Sequence, residues 1–141
     1  MSNPTISQSP RSLPSVTHEA PTWCACYTST YINITAGPSL SSDKLNWTLT
    51  AAAAHVQNLL RDFGDNNMYG GKFLFNVYLD LQLTINEATG EKLKWSIVGD
   101  AVGELLDWMT VTSTWVAVQF FIFYGSDEVG SGALQARDPG P

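Results

Sequence analysis

Between Phe73 and Ile85 the chain alternates without a break. Phe73, Phe75, Val77, Leu79, Leu81, Leu83 and Ile85 fall on one side, and Leu74, Asn76, Tyr78, Asp80, Gln82 and Thr84 on the other. Side chains of an extended chain point to opposite faces with a period of two. The run therefore predicts one long antiparallel strand with a buried face and a wetter one. Such a strand needs sheet neighbours and a second layer over its apolar side, so the elements around it set the fold.

Before it, Tyr27 to Thr35 (YTSTYINIT) is rich in β-branched and aromatic residues and reads as a strand. A loop, AGPSLSSD, follows. Leu49, Ala52, Ala53, Val56, Leu59, Leu60 and Phe63 then recur at helical spacing. Thr48 or Thr50 is the expected N-cap of that helix and Gly64 its C-terminal stop. After the alternating run, Asn86 to Gly90 (NEATG) reads as a turn, and Leu93, Trp95 and Ile97 as the buried row of a return strand. Gly99-Asp100 opens a second helix with the stripe Val102, Leu105, Leu106 and Met109. Trp115 to Tyr124 (WVAVQFFIFY) is apolar on both faces, which predicts a central strand or one in an interface. A turn from Ser126 to Gly130 and a short last strand from Ser131 to Ala136 complete the pass.

The halves resemble each other: Lys44-Leu-Asn-Trp-Thr-Leu49 aligns with Lys92-Leu-Lys-Trp-Ser-Ile97, and Leu59-Leu60 with Leu105-Leu106. This suggests an internal duplication. The expected fold is α+β: a mainly antiparallel sheet of about four to five strands with two helices on one face. The order β-α-β-β-α-β makes a ferredoxin-like split βαβ arrangement the first expectation.

At 141 residues the chain is the size of one domain. Residues 1–21 are rich in Ser and Pro and read as a disordered tail, 22–136 as the domain, and 137–141 as a second tail. Charged residues are 14% of the chain, with 7 basic against 13 acidic side chains and a net charge of −6. Lys44, Lys72, Lys92 and Lys94 are too few and scattered to neutralise a phosphate backbone, so no nucleic acid is expected as partner. The acidic balance argues equally against an anionic membrane. No signal peptide or membrane-spanning run is legible, and the composition suits an extracellular protein whose leader has been removed. The sequons Asn33-Ile34-Thr35 and Asn46-Trp47-Thr48 matter only in that setting. Cys24 and Cys26 are poorly spaced for a mutual disulfide and read as reduced thiols. Together with His18 and His55 they do not make a recognisable zinc spacing, so no metal and no cofactor is expected.

Candidate chemistry is thin. His55, with Asn58 and Asp62 further along its helix, is a conceivable general base, and Asp100 and Glu104 stand at i, i+4. Neither pattern outweighs a solvated helix face. Tyr69-Gly-Gly-Lys72 is a turn into a strand and not a phosphate loop. Binding is the better-supported class. Asn76, Tyr78, Asp80 and Gln82 offer amide, phenol and carboxylate groups along a strand, and Trp115, Gln119 and Phe121 add an aromatic row on its neighbour. If helices cover one side of the sheet, the other must stay polar or meet a partner. The expected function is a non-enzymatic interaction module that forms a homodimer, or binds a glycan or protein, through that face. The alternatives are a small-molecule carrier or enzyme with a pocket between sheet and helices, and a viral or other assembly subunit.

Overall fold

The computed structural model describes residues 22–24 and 29–137. The expected tails at 1–21 and 138–141, Cys26 and the first residues of the YTSTYINIT strand lie outside the described residues. The elements are β1 (Thr22–Cys24), β2 (Thr30–Ser39), α1 (Ser42–Phe63), β3 (Lys72–Phe75), β4 (Leu81–Glu87), α2 (Trp95–Thr112), β5 (Val116–Tyr124) and β6 (Asp127–Ala136). They form one six-stranded sheet in the order β1-β2-β5-β6-β4-β3, with every pairing antiparallel. The α+β class and the order β-α-β-β-α-β are as the sequence predicts. The last strand, β6, slots between β5 and β4.

The alternating run is not one strand. It folds back on itself as a hairpin, with Phe73 opposite Ile85, Leu74 opposite Thr84 and Phe75 opposite Leu83. Each partner of an odd-numbered residue is itself odd-numbered, so the reversal keeps the same side chains inward and the alternation runs unbroken through the turn. Residues 76–80 make that turn. The Asn76 amide donates to the Leu81 carbonyl at 2.9 Å, and Leu81 N–H to the Tyr78 carbonyl at 3.3 Å. Val77 and Leu79, expected to be buried, are exposed at the tip, Leu79 by 77%.

Helix α1 starts before either expected cap. Ser41 is the N-cap and its hydroxyl accepts from Lys44 N–H at 3.3 Å. Thr48 lies inside the helix and is buried, and Leu45 extends the stripe through Leu49, Ala52 and Val56. Phe63, at the far end of the expected stripe, is exposed. Gly64 does end the helix, at φ 81°, with its N–H donating to Leu60.

Helix α2 begins at Trp95 rather than at Gly99-Asp100, so Leu93, Trp95 and Ile97 are buried at a helix start and not on a return strand. Its N-terminus is capped from a distance. The Asp65 carboxylate, in the loop after α1, accepts from Ser96 N–H at 2.9 Å and Ser96 Oγ at 2.7 Å. The Lys-Leu-x-Trp segments take different positions, since Trp47 lies exposed within α1 while Trp95 opens α2 and is buried. Each helix is nevertheless followed by a two-stranded hairpin, β3-β4 and β5-β6.

Strand register defines the two faces of the sheet. Ile32 lies opposite Ile122, Ile34 opposite Phe120, Val118 and Leu83 opposite Leu134, and Phe73 opposite Ile85. All of these are buried and form one core with the inner sides of both helices. The helices pack on each other, and at Gly99 an added Cβ would lie 3.2 Å from Val56 Cγ1. Strand β6 gives the core little bulk of its own. Gly130 and Gly132 leave room for Leu93 and Phe120. The last turn is the two residues Gly125-Ser126, so β6 starts at Asp127 and is longer than expected. Strand β5 is central, as its two apolar faces predict.

Candidate functional site

Both helices share one side, so the opposite face of the sheet has no layer over it among the described residues. Register assembles that face row by row. One row runs Asn33, Phe121, Ser131, Asn86, Lys72 across five strands. The next runs Thr35, Gln119, Ala133, Thr84, Leu74. Gln82 and Gln135 pair beyond them, and on the other side Tyr31 and Phe123 stack with ring centroids 5.0 Å apart and planes 5° from parallel. From β2 to β4 the two central rows carry no formal charge. Lys72 closes one at the sheet edge, and Glu128 lies beside Phe123 near the turn. Phe121 stands in the middle of the face and is 46% exposed, and Leu74 at the edge is 55% exposed.

Of the residues expected to bind, Gln82, Gln119 and Phe121 share this face. Gln82 holds its place by donating to Thr84 Oγ1 at 3.1 Å. Asn76, Tyr78 and Asp80 do not join them, because they belong to the β3–β4 turn rather than to a strand. There they serve the hairpin. Asp80 pairs with Lys44 at 2.9 Å, and the Lys44 ammonium lies 5.3 Å from the Tyr78 ring centroid, so the turn is tied to the first turn of α1. The Lys44 hydrogen bond holds the Asp80 carboxyl below the ordinary carboxylate range. Trp115 precedes β5 and is half-buried against the core. The residues that sequence reasoning missed are Tyr31, Asn33, Ser131, Ala133 and Asn86. The alternation of Tyr31, Asn33 and Thr35 with Ile32 and Ile34 was a usable signal for the first two.

The catalytic candidates are placed otherwise. His55 lies against the rings of Phe73 and Phe75, with centroids 6.1 and 5.7 Å away, while Asp62 pairs with Arg61. Gly99, Asp100, Gly103, Glu104 and Asp107 line a shallow groove along α2. Asp100 accepts from the buried Thr30 hydroxyl at 3.2 Å. Burial pushes the Asp100 carboxyl above the ordinary range; the Thr30 bond pulls it down and the Asp65 charge adds to the rise. A carboxyl that holds its proton more tightly when folded weighs against the fold once ionised. That penalty is present at neutral pH and vanishes as pH falls below the ordinary carboxylate pKa of about 4. Asp100→Asn, which keeps an acceptor for Thr30, is therefore expected to melt above wild type at pH 7 and to lose the advantage near pH 3. An equal difference at both pH values would contradict this account of Asp100.

Among the described residues no group of three or more His, Cys, Asp or Glu side chains is placed to hold a metal ion. No helix among them is long and apolar enough to cross a membrane. Compared with known protein families, with curated proteins and with solved structures, the chain shows no significant match.

Proposed function

We propose that the chain is a non-enzymatic interaction module whose binding surface is the helix-free face of the sheet. The supporting observation is the pair of uncharged rows crossing β2, β5, β6 and β4 with the half-exposed Phe121 ring at their centre. A sheet face meant for water alone ordinarily carries charge, and interface centres are depleted of it. Among the described residues, the acidic and basic side chains lie elsewhere or at the margins of that face. A rigid antiparallel sheet also presents its side chains at little entropic cost on binding.

A second reading, a glycan on the same face, is favoured by the amides of Asn86 in the Phe121 row and Gln119 in the next. Amides pair with sugar hydroxyls and an aromatic ring stacks on a sugar ring. Hydroxyl-radical footprinting of the full chain tests the face directly. Tyr31, Phe121 and Phe123 are followed while protein concentration is raised, and then with neutral oligosaccharides at fixed protein. The reading expects protection of Phe121 in at least one series and none at Leu79, which lies off the face. Rings that stay fully reactive in both series would contradict it.

A further inference from the structure

The helix-free face has a shape that fits itself. On β5 the outward side chain at the centre is Phe121, 46% exposed. On β6, beside it, the outward residues opposite Phe121 and Gln119 are Ser131 and Ala133. These reach barely beyond the backbone, so a trough runs along β6 between the Phe121 ring and the longer side chains of β4. A knob thus stands next to a recess, and the two lie on the middle pair of a six-stranded sheet. A two-fold axis lying in the interface plane, parallel to the strands and between β5 and β6, sets the Phe121 ring of each copy over the Ser131–Ala133 recess of the other. Such an isologous contact closes on itself as a dimer and does not propagate into a fibre.

The area is sufficient. Six strands about 4.8 Å apart with about seven residues each present a face of roughly 700 Å², close to the roughly 800 Å² per partner of a standard interface. From β2 to β4 the two central rows carry no charge, so no ion is desolvated at the centre of the contact. Taking the helix-free face as the binding surface, as proposed above, we infer that its occupant is a second copy of this chain, stacked sheet to sheet about an axis at the β5–β6 pair.

The inference sets Phe121 of one copy against Ala133 of the other, which a complementation experiment reads out. Phe121→Lys and Ala133→Asp are made singly in the full chain, and circular dichroism checks that each folds. Sedimentation velocity then follows wild type, each variant alone and their equimolar mixture. Wild type is expected to dimerise, and each variant alone to associate at least about 30-fold more weakly. The mixture is expected to recover most of that loss, because it keeps one native knob-and-recess contact and sets the new lysine against the new aspartate. A mixture that associates no better than its components would overturn the inference. A wild type that stays monomeric up to about 1 mM would also overturn it, the affinity then being weaker than about −4 kcal/mol. That result leaves the binding face itself to the oligosaccharide footprint. A wild-type dimer untouched by either substitution would overturn both the inference and the choice of face.

Discussion

Gly132→Ala is expected to destabilise the fold by about 2 to 4 kcal/mol, the largest effect of a Gly→Ala change among the described residues. A Cβ at Gly132 would lie 2.5 Å from Phe120 Cζ and 2.6 Å from the Thr84 carbonyl oxygen. The ring has nowhere to swing, since Phe120 is fully buried between Ile34 of β2 and Gly132 of β6. The carbonyl belongs to the backbone of β4, which pairs with β6 on one side and β3 on the other. Relief therefore requires strands to part. For a domain of this size the melting temperature should fall by more than about 8 °C. Adding Phe120→Leu should return part of the loss, because two residues in contact do not contribute independently. A Gly132→Ala protein melting within about 2 °C of wild type would show that β6 does not run against the Phe120 ring as described.

Phe120→Ala is expected to cost about 3 to 5 kcal/mol, whereas Phe121→Ala should change monomer stability by less than about 1 kcal/mol. The two residues are neighbours on β5 and point to opposite sides. Phe120 fills the core beneath the helices, and its removal leaves a cavity that the closely spaced glycines of β6 cannot collapse into without disturbing the ladder. Phe121 projects from the helix-free face and touches the core through backbone alone. Urea unfolding at a protein concentration low enough to keep the chain monomeric separates the two effects. Equal losses would mean that β5 has a different inner face from the one described. Raising the concentration should then reveal the cost of Phe121→Ala in association, where an interface anchor is worth the most.

How far the fold could be read from sequence depended on which physical signal each element carried. The central position of β5 was legible because a run apolar on both faces suits a strand flanked by neighbours rather than one at a sheet edge. Helix α1 was legible in its middle, where Leu49, Ala52 and Val56 fix one face, but not at its start, because Leu45 and the Ser41 cap lie in a stretch that reads equally well as loop. The β3–β4 hairpin was hidden by its own register. A reversal that pairs odd positions with odd positions preserves the alternation, and the turn from Asn76 to Asp80 contains neither Gly nor Pro to mark it. The start of α2 was hidden because Leu93, Trp95 and Ile97 alternate over too few residues to separate a strand from a helix buried on several sides.

The candidate site divides in the same way. Gln119 and Phe121 are legible because they share the outward face of β5, and Gln82 because it keeps its outward position whichever way the hairpin folds. Asn76, Tyr78 and Asp80 fall in the hairpin turn, where Asn76 closes the turn onto Leu81 and Tyr78 and Asp80 brace it against Lys44. Ser131 and Ala133 carry no binding signal as residue types. They matter only through register, which sets them beside Phe121 and makes the recess. No single-sequence pattern reports that neighbourhood.

Sedimentation equilibrium of wild type, Phe121→Lys and Leu79→Lys, from micromolar to near-millimolar protein, tests the central claim most directly. Leu79 is the more exposed of the two apolar side chains but sits at the hairpin tip, off the sheet face. Wild type and Leu79→Lys are expected to approach twice the monomer mass together while Phe121→Lys stays monomeric. Association that survives Phe121→Lys, or that is lost with Leu79→Lys instead, would contradict it.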